Sequence, residues 1–396
     1  LRASYGKMGD DSVADYQFIS GYNYPNTEGA TFNKPPKGYF FGGSFINSLG
    51  FRAVANPDIT WYTVKTLNVG VDADLWNGLL GVSFDLFQRD RDGLMANRIV
   101  AVPGTFGASM PKENLESDRT RGFELELRHH NRIGEVGYSV TGNMAITRSM
   151  WRYKERTPSG NSYDNWRNNL TDRYNDIWFG YGDGGRYTSW DQIINSPIFA
   201  GNATLPGDYI YEDWNGDGMI DENDQHDVGN PFPDFSFGLR MGGEWKGFDF
   251  NLFFDGMTGN KIYNYQRYCL ESGKFNGNYS TKLANSWRPD NQNTDIPRFS
   301  KTDGIDNGLA FTDRWLEDGS YFRLKTLDIG YSLPKSLLKK VKLENVRIYT
   351  SMENLFTLSK YSGYSPDLGQ SGSVDIGVGY NVFSRGVDQG RYPLPR

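Results

Sequence analysis

The sequence predicts an all-β protein, specifically an antiparallel transmembrane β-barrel, and three observations support this. Apolar and polar residues alternate along runs of about ten residues or more. Short turns alternate with long polar connections along the chain. Glycine and aromatic residues are abundant, with 47 Gly, 25 Tyr, 25 Phe and 10 Trp among 396 residues. Long strands joined by glycine-rich polar loops are typical of outer-membrane barrels.

The clearest hairpin lies in ADLWNGLLGVSFDLFQRD, residues 73–90. Asn-Gly between two alternating runs predicts a type I′ turn, because that turn needs a positive φ at both central residues. A turn at Asn77-Gly78 sets the register and pairs Leu75 with Leu80. The register predicts apolar pairs on one face and polar pairs on the other: Ala73–Val82, Val71–Phe84 and Val69–Leu86, against Asp74–Gly81, Asp72–Ser83 and Gly70–Asp85.

The same design recurs further along the chain. RTRGFELELRHH and VGYSVTGNMAI are joined by a turn near Ile133-Gly134, and FSFGLRMGGEWKGFDFNLFFDG turns at Lys246-Gly247, which pairs Trp245 with Phe248. A short helical turn from Pro334 joins YFRLKTLDIGYSLP to VRIYTSMENL. With LRASYGKMG at the start, the alternation predicts about nine long strands.

Long connections are predicted at about 92–118, 150–234, 257–320 and 355–396, and they alternate with the short turns. Short turns on one side and long loops on the other are typical of outer-membrane barrels. A soluble sandwich would have strands of about five or six residues, whereas arms of about ten residues suit a tilted crossing of hydrocarbon. Aromatic residues near the strand ends suit an interfacial belt: Trp76, Trp245, Phe248 and Tyr331.

The remaining composition excludes several classes of protein. No apolar run approaches the ~18 residues of a transmembrane helix. The single Cys269 excludes an internal disulfide framework, and a net charge of −6 without a basic patch argues against a nucleic-acid partner. No phosphate-binding loop or nucleophile motif occurs. The three histidines, His129, His130 and His226, are expected to be solvated, and the chain is predicted not to be an enzyme.

The stretch DWNGDGMIDEND, residues 213–224, has the spacing of a calcium loop. Gly218 stands at the sixth position, where such a loop turns sharply, and calcium prefers six to eight oxygen ligands. The last position is Asp rather than Glu, which shortens its reach. The alternative is an Asx-rich turn that needs no metal. A structural calcium site is predicted with these ligands: Asp213, Asn215, Asp217, the Met219 carbonyl, Asp221 and Asp224.

The long loops carry many aromatic residues among Asn, Asp and Arg. Flat aromatic faces beside planar polar groups suit sugar rings and, almost as well, peptides. The alternative is that these residues pack the loops together or against a partner protein. The candidates for substrate contact are Trp166, Trp178, Trp190 and Trp287.

Several segments, taken together and in order, resemble a known family. They are NPDITWYTVKTLNVGVDADLWNGLLGVSFDLFQRDRDGLM, RGFELEL, GDYIYEDWNGDGMIDENDQ, FRLKTLDIGYSLPKSLLKKV, VRIYTSMENLFTLSKYSGYSPD and the final RYPLPR. The resemblance is to the C-terminal part of SusC/RagA-type TonB-dependent outer-membrane transporters of Bacteroidetes. It covers nearly the whole chain.

The resemblance implies a 22-stranded barrel with a plug, of which residues 1–396 would be the C-terminal part, with the plug and N-terminal domains upstream. It implies a cell outer-membrane location with the long loops extracellular. It also implies a SusD-like surface lipoprotein over those loops, energy from TonB, and a dimer of SusCD pairs. The cargo would be oligosaccharides, as in polysaccharide utilisation, or oligopeptides in the RagA branch.

On this view lipid covers the apolar face and a water-filled lumen faces the polar one. The expected lumen residues are Asp72, Asp74, Ser83, Asp85, Glu124, Glu126, Arg128, Arg240, Asp249 and Asn251. An alternative from another class is a calcium-stabilised surface binding protein or adhesin with a soluble β-sandwich. That alternative predicts a core that buries Leu75, Val82 and Phe84.

Overall fold

The computed structural model describes residues 1–11, 17–25, 37–51, 54–99, 110–199, 204–273, 277–300, 311–368 and 386–390. The final RYPLPR, residues 391–396, lies outside this set. The strands are β1 (Arg2–Asp10), β2 (Tyr22–Asn23), β3 (Gly38–Phe41), β4 (Ser44–Asn47), β5 (Gly50–Phe51), β6 (Tyr62–Leu75), β7 (Leu80–Asn97), β8 (Lys112–Ile133), β9 (Val136–Tyr153), β10 (Trp178–Gly180), β11 (Asp183–Arg186), β12 (Tyr209–Tyr211), β13 (His226–Gly229), β14 (Phe235–Trp245), β15 (Phe248–Thr258), β16 (Lys261–Tyr263), β17 (Leu316–Asp318), β18 (Tyr321–Ser332) and β19 (Arg347–Ser359).

The helices are short and lie in the connections. No helix in the described part of the chain has the length and apolar character needed to cross a membrane. The α-helices are α1 (Ser162–Arg167), α2 (Trp190–Ile194), α3 (Tyr265–Glu271) and α4 (Lys335–Leu338). Single 3₁₀ turns lie at Glu222–Asp224, Thr281–Asn285, Asp313–Trp315 and Lys339–Val341.

Nine strands form one antiparallel sheet in the order β1-β6-β7-β8-β9-β14-β15-β18-β19. Each strand pairs with the next long strand along the chain, so the sheet is a meander that the small strands do not interrupt. The prediction of about nine long strands is confirmed, including the strand at the start of the chain.

The predicted hairpin registers are confirmed. Leu75 pairs with Leu80, and the pairs Val71–Phe84 and Asp72–Ser83 follow as the Asn-Gly turn requires. Asn77 and Gly78 have φ of 56° and 84°, and the Leu79 N–H donates to the Trp76 carbonyl at 3.2 Å. The other turns also match: Ile133 pairs with Val136 and Trp245 with Phe248, and the helical turn after Pro334 is α4.

The strands β7, β8 and β9 are longer than the sequence predicted, with 18, 22 and 18 residues. The predicted loop 92–118 is therefore too long, because β7 continues to Asn97 and β8 begins at Lys112. Charged residues are frequent in this stretch, so the sequence lacks the apolar alternation that predicts a strand. Ion pairs between neighbouring strands, such as Arg119–Asp90 at 2.6 Å, stabilise the strands there. The other long loops lose a few residues to β9, β15 and β19 at their ends.

The apolar face of the sheet is not buried. Leu75 is 40% exposed to solvent, and Val82 and Phe84 are half-buried. Within the described residues, every other sheet has only two strands. The core that the sandwich alternative predicted is therefore not formed.

Aromatic residues mark both ends of the apolar face. Near the long loops, the rings of Phe254 and Phe322 stack at 5.3 Å, and Phe322 lies 6.1 Å from Phe237. Near the short turns, Phe248 and Tyr331 lie 4.4 Å apart. Along β14, the ten steps between its aromatic ends span about 33 Å, or about 25 Å at a strand tilt of ~40°. This is the height of the apolar band on an outer-membrane barrel.

The buried side chains of the molecule lie mainly in the long connections. We call the described residues of 154–234, 259–320 and 360–390 the loop module. One cluster contains Tyr181, Tyr209, Tyr211 and Ile220, and a second contains Tyr263, Tyr268 and Trp315. The two buried clusters are therefore formed mainly by residues of the connections between the long strands.

Candidate functional site

The polar face of the sheet forms a continuous surface across the strands. Register places the predicted residues together: Ser83 pairs with Asp72 and with Glu126, and Glu126 pairs with Asn143 on β9. Arg128 pairs with Thr141 on β9, and Thr141 in turn pairs with Arg240 on β14. Further along, Asn251 lies beside Asp328 on β18, and its amide donates to that carboxylate at 3.2 Å.

Ion pairs and hydrogen bonds orient these side chains. Arg2 on β1 forms an ion pair with Asp85 and approaches Asp72 at 3.4 Å. The Ser83 hydroxyl donates to Asp72 at 2.7 Å. At the short-turn end, the Nε of Arg347 donates a hydrogen bond to the carboxylate of Asp249 at 3.0 Å. The surface thus presents fixed carboxylates, hydroxyls and guanidinium groups to water.

A depression of about 710 Å³ lies on this face. Carboxylates outnumber basic groups around it, because Arg128 is the one basic residue of its described lining. Arg2 pairs with Asp85, and Arg323 pairs with Asp255, so part of this negative charge is neutralised. The remaining carboxylate oxygens can accept hydrogen bonds from hydroxyl or ammonium groups. Its carboxylates are Asp72, Asp85, Glu124, Glu126 and Asp255.

Backbone hydrogen bonds join separate connections into the loop module. The Tyr181 N–H donates to the Phe311 carbonyl at 3.2 Å, and the Arg298 N–H donates to the Gly207 carbonyl at 2.6 Å. The Tyr263 N–H donates to the Gly386 carbonyl at 2.8 Å. Three long connections therefore fold together and do not extend separately into solvent.

Arginine–aspartate contacts at two places in this region were not predicted from the sequence. Arg298 binds the fully buried Asp208 at 2.8 Å within the loop module. On β18, the buried Arg323 binds Asp255 at 2.5 Å and Asp367 at 3.1 Å, which ties the last connection to the polar face of the sheet. These residues are 44 or more positions apart in the sequence, so local pattern gave no signal for them.

The four candidate tryptophans fall into two groups. Trp287 is 7% exposed, and Trp178 packs edge-on to Phe311 at 5.9 Å in the second cluster. Trp166 on α1 and Trp190 on α2 are more than half exposed. The packing alternative thus describes Trp287 and Trp178, while Trp166 and Trp190 stay accessible candidates for contact with a substrate.

The predicted calcium loop is a tightly hydrogen-bonded turn. Asp213 accepts backbone N–H groups from Gly216 at 2.8 Å and from Gly218 at 2.9 Å. Gly218 has a φ of +85°, as the sharp turn requires. The buried Asp224 accepts from Asn215 at 3.3 Å and from Asp221 at 2.7 Å. The loop has the conformation expected of either a metal loop or an Asx-rich turn.

The carboxylates of the loop are not gathered around one point. Among the described residues, no group of three or more His, Cys, Asp or Glu side chains could hold a metal ion. Burial raises the pKa of Asp224, and its backbone hydrogen bonds offset this only in part. A raised pKa disfavours the charged form that binds a cation. Calcium in this loop stays a prediction.

Comparison with known proteins finds TonB-dependent receptors that are similar to this chain. No protein-family model matches it. Over 407 residues it is 29% identical to TonB-dependent receptor P3 of Formosa agariphila, covering 100% of this chain and 38% of that protein. It is 23% identical to TonB-dependent receptor SusC of Bacteroides thetaiotaomicron, covering 98% of this chain and 36% of SusC. Over nearly its whole length the chain is similar to TonB-dependent receptors, SusC among them. It spans less than two fifths of the length of these relatives.

Comparison with solved structures supports the predicted fold. The RagAB peptide transporter matches 99% of this chain with a TM-score of 0.69, at 21% sequence identity and over 39% of its own chain. The nine-stranded sheet therefore corresponds to part of a transmembrane β-barrel wall, and the predicted fold class is confirmed.

Proposed function

We propose that this receptor chain forms part of an outer-membrane importer powered by TonB. The observation that supports the proposal best is the two-faced sheet. An exposed apolar band of about 25 Å needs lipid, and the opposite face carries the ordered charges of a water-filled passage. The named relatives are TonB-dependent receptors, which favours energy-driven uptake over passive diffusion.

The proposed cargo is a neutral oligosaccharide. Hydroxyl groups suit the carboxylate-lined depression on the polar face, and the excess of carboxylates over Arg128 disfavours acidic chains. The exposed Trp166 and Trp190 offer flat faces on which sugar rings stack. A second candidate is an oligopeptide, which the structural similarity to the RagAB peptide transporter favours.

The proposed assembly includes a SusD-like surface lipoprotein that closes over the loop module. The exposed aromatic residues of α1 and α2 suit a protein interface as well as a cargo site. A dimer of such pairs in the outer membrane, with the long loops extracellular, completes the proposal.

The experiment is a binding and uptake comparison on the receptor purified with its native lipoprotein. Calorimetry with neutral oligosaccharides, acidic oligosaccharides and oligopeptides identifies the cargo class. We expect neutral oligosaccharides to bind, and the double variant Trp166→Ala/Trp190→Ala to weaken binding by about thirtyfold, since two aromatic stacks at roughly 1 kcal/mol each contribute about 2 kcal/mol. Trp76→Ala, an exposed tryptophan at the short-turn end, is the matched control.

Uptake is measured in cells with and without TonB. Loss of uptake without TonB supports the importer. Binding of peptides alone would replace the oligosaccharide proposal with the peptide one. Unchanged uptake without TonB would overturn energy-driven import.

A further inference from the structure

A further exposed tryptophan in the loop module is held flat by a histidine. The rings of Trp214 and His226 stack with their centres 3.9 Å apart and an angle of 9° between their planes. Trp214 is nevertheless 52% exposed. Because His226 covers one face of the indole, this exposure is mainly that of the opposite face. Trp214 therefore presents a flat, oriented apolar surface to solvent.

The local structure keeps this stack in place. Trp214 follows Asp213, whose carboxylate accepts the backbone N–H groups of the sharp turn. His226 begins β13 directly after the 3₁₀ turn, and its Nδ1 lies 3.4 Å from the Asp224 carbonyl. Both rings are thus anchored to one tightly hydrogen-bonded segment. A ligand that packs on Trp214 would therefore lose little affinity to the ordering of the side chain.

Trp166 on α1 is an exposed ring of the same kind. It is 61% exposed, and the Arg173 guanidinium lies over it at 5.0 Å from the ring centre. Arg173 also donates to the Trp166 carbonyl at 2.9 Å and to the Arg167 carbonyl at 3.0 Å. The ring of Tyr163 lies 5.9 Å away. Trp166, like Trp214, is therefore supported from one side and open on another.

Arg167 joins the two tryptophans into one surface. Its guanidinium donates to the backbone carbonyls of Glu222 and, at 3.2 Å, of Gln225. Arg167 directly follows Trp166, and Gln225 directly precedes the histidine of the stack. Helix α1 is therefore fixed against the end of the loop that carries Trp214. We call Trp166 and Trp214 the paired rings.

We propose that the paired rings bind two sugar units of one neutral oligosaccharide. This deepens the proposed function and rests on it, because the cargo class is taken from there. Binding sites of this kind combine apolar and aromatic surface with a few oriented polar groups. The C–H face of a sugar ring packs on an indole, and its hydroxyl groups need hydrogen-bond partners at the rim.

Polar groups stand beside the paired rings. The exposed Asp217 accepts from the Asn215 amide at 2.9 Å and from the Met219 N–H at 2.8 Å. A carboxylate has about four lone-pair sites, so Asp217 can also accept from a hydroxyl group. The guanidinium already over Trp166 disfavours a second cation on that ring, and the carboxylate of Asp217 disfavours an anion. A neutral ring is therefore the matching ligand.

The test uses the receptor purified with its native lipoprotein. A panel of neutral disaccharides and hexasaccharides of several linkages is titrated by calorimetry. The variants are Trp214→Ala and Arg167→Gln, and the control is Trp76→Ala, an exposed tryptophan at the short-turn end. Protease resistance of the loop module and co-purification of the lipoprotein are measured for every variant.

We expect the hexasaccharide that binds the wild type to bind Trp214→Ala about fivefold more weakly, since one aromatic stack is lost. Trp76→Ala should bind it normally. Arg167→Gln should reduce the preference for the hexasaccharide over the disaccharide, because it uncouples the paired rings without removing either. A merely structural role of Arg167 would instead lower both affinities by the same factor.

Four outcomes would overturn the paired site. Wild-type affinity in Trp214→Ala would do so while leaving the importer intact, and so would an equal loss for both chain lengths in Arg167→Gln. Loss of the lipoprotein from Trp214→Ala would assign this ring to a protein interface. A wild type that binds no neutral oligosaccharide would overturn the proposed cargo, and the paired site with it.

Discussion

The sheet and the loop module differ in the solvent exposure of their apolar side chains. On the sheet, Leu86 and Ile348 lie open to the surroundings, whereas Trp315 and Ile262 in the loop module are completely buried. An apolar surface as extensive as that of the sheet is not stable in water. The apolar face of the sheet is therefore not covered by the described residues, whereas the apolar side chains of the loop module are buried among one another. The two regions should accordingly fail under different perturbations.

The largest effect is expected from Trp315→Ala in the loop module. Trp315 packs edge-on to Tyr268 at 5.3 Å and beneath Arg267 at 5.5 Å. Truncating a buried tryptophan costs about 3–5 kcal/mol. We expect proteases to cleave the loop module while the barrel remains heat-modifiable on gels. Trp166→Ala, at an exposed site, is the control, and joint loss of barrel and module would refute their independence.

The next effect concerns the apolar face. Val82→Arg places a charge near the middle of the band, which costs about 2–4 kcal/mol in an outer membrane. We expect the variant to fail to assemble in membrane fractions. Ser83→Arg, one residue along and on the polar face, should assemble normally. If Val82→Arg also assembled and stayed heat-stable, the lipid-facing assignment would be wrong.

Calcium should act on the loop module alone. If the loop at 213–224 binds the ion, calcium at one hundred times its dissociation constant stabilises the folded form by about 2.7 kcal/mol. Adding a chelator should then increase protease cleavage near Asp217 without changing the heat-modifiable mobility of the barrel. Asp217→Asn should abolish the chelator effect, and Asp191→Asn, outside the loop, should preserve it. No calcium effect on the wild type would favour the Asx-rich turn.

The smallest effect is a change of reactivity at Cys269 on α3. Burial raises the pKa of the Cys269 thiol, although a hydrogen bond with Tyr265 lowers it in part. Because the thiolate is the reactive form, the folded protein should react with maleimide more slowly than a free thiol and gain reactivity at higher pH. Trp315→Ala should accelerate labelling and Ser83→Arg should not. A labelling rate equal to that of the denatured chain would contradict the burial of α3.

Sequence reasoning succeeded where one turn determines many contacts. The Asn77-Gly78 and Lys246-Gly247 turns fix their hairpins, because a slip of one residue moves every side chain to the other face. It failed at the outer ends of β7 and β8, where charged residues stand on paired strands. It also missed Arg323 with Asp367, and the burial of Trp287, because contacts between distant loops leave no periodic pattern.

The strands of the sheet differ in length, so the edge of the sheet toward the long connections is uneven. At about 3.3 Å per residue, β8 with its 22 residues extends for about 73 Å, while β14 with 11 extends for about 36 Å. In the proposed importer the longer strands extend further beyond the apolar band than the shorter ones, and the connections after β9 and β15 lead into the loop module. If this chain forms part of an importer as proposed, its cargo would approach between strands of unequal length on one side and the loop module on the other.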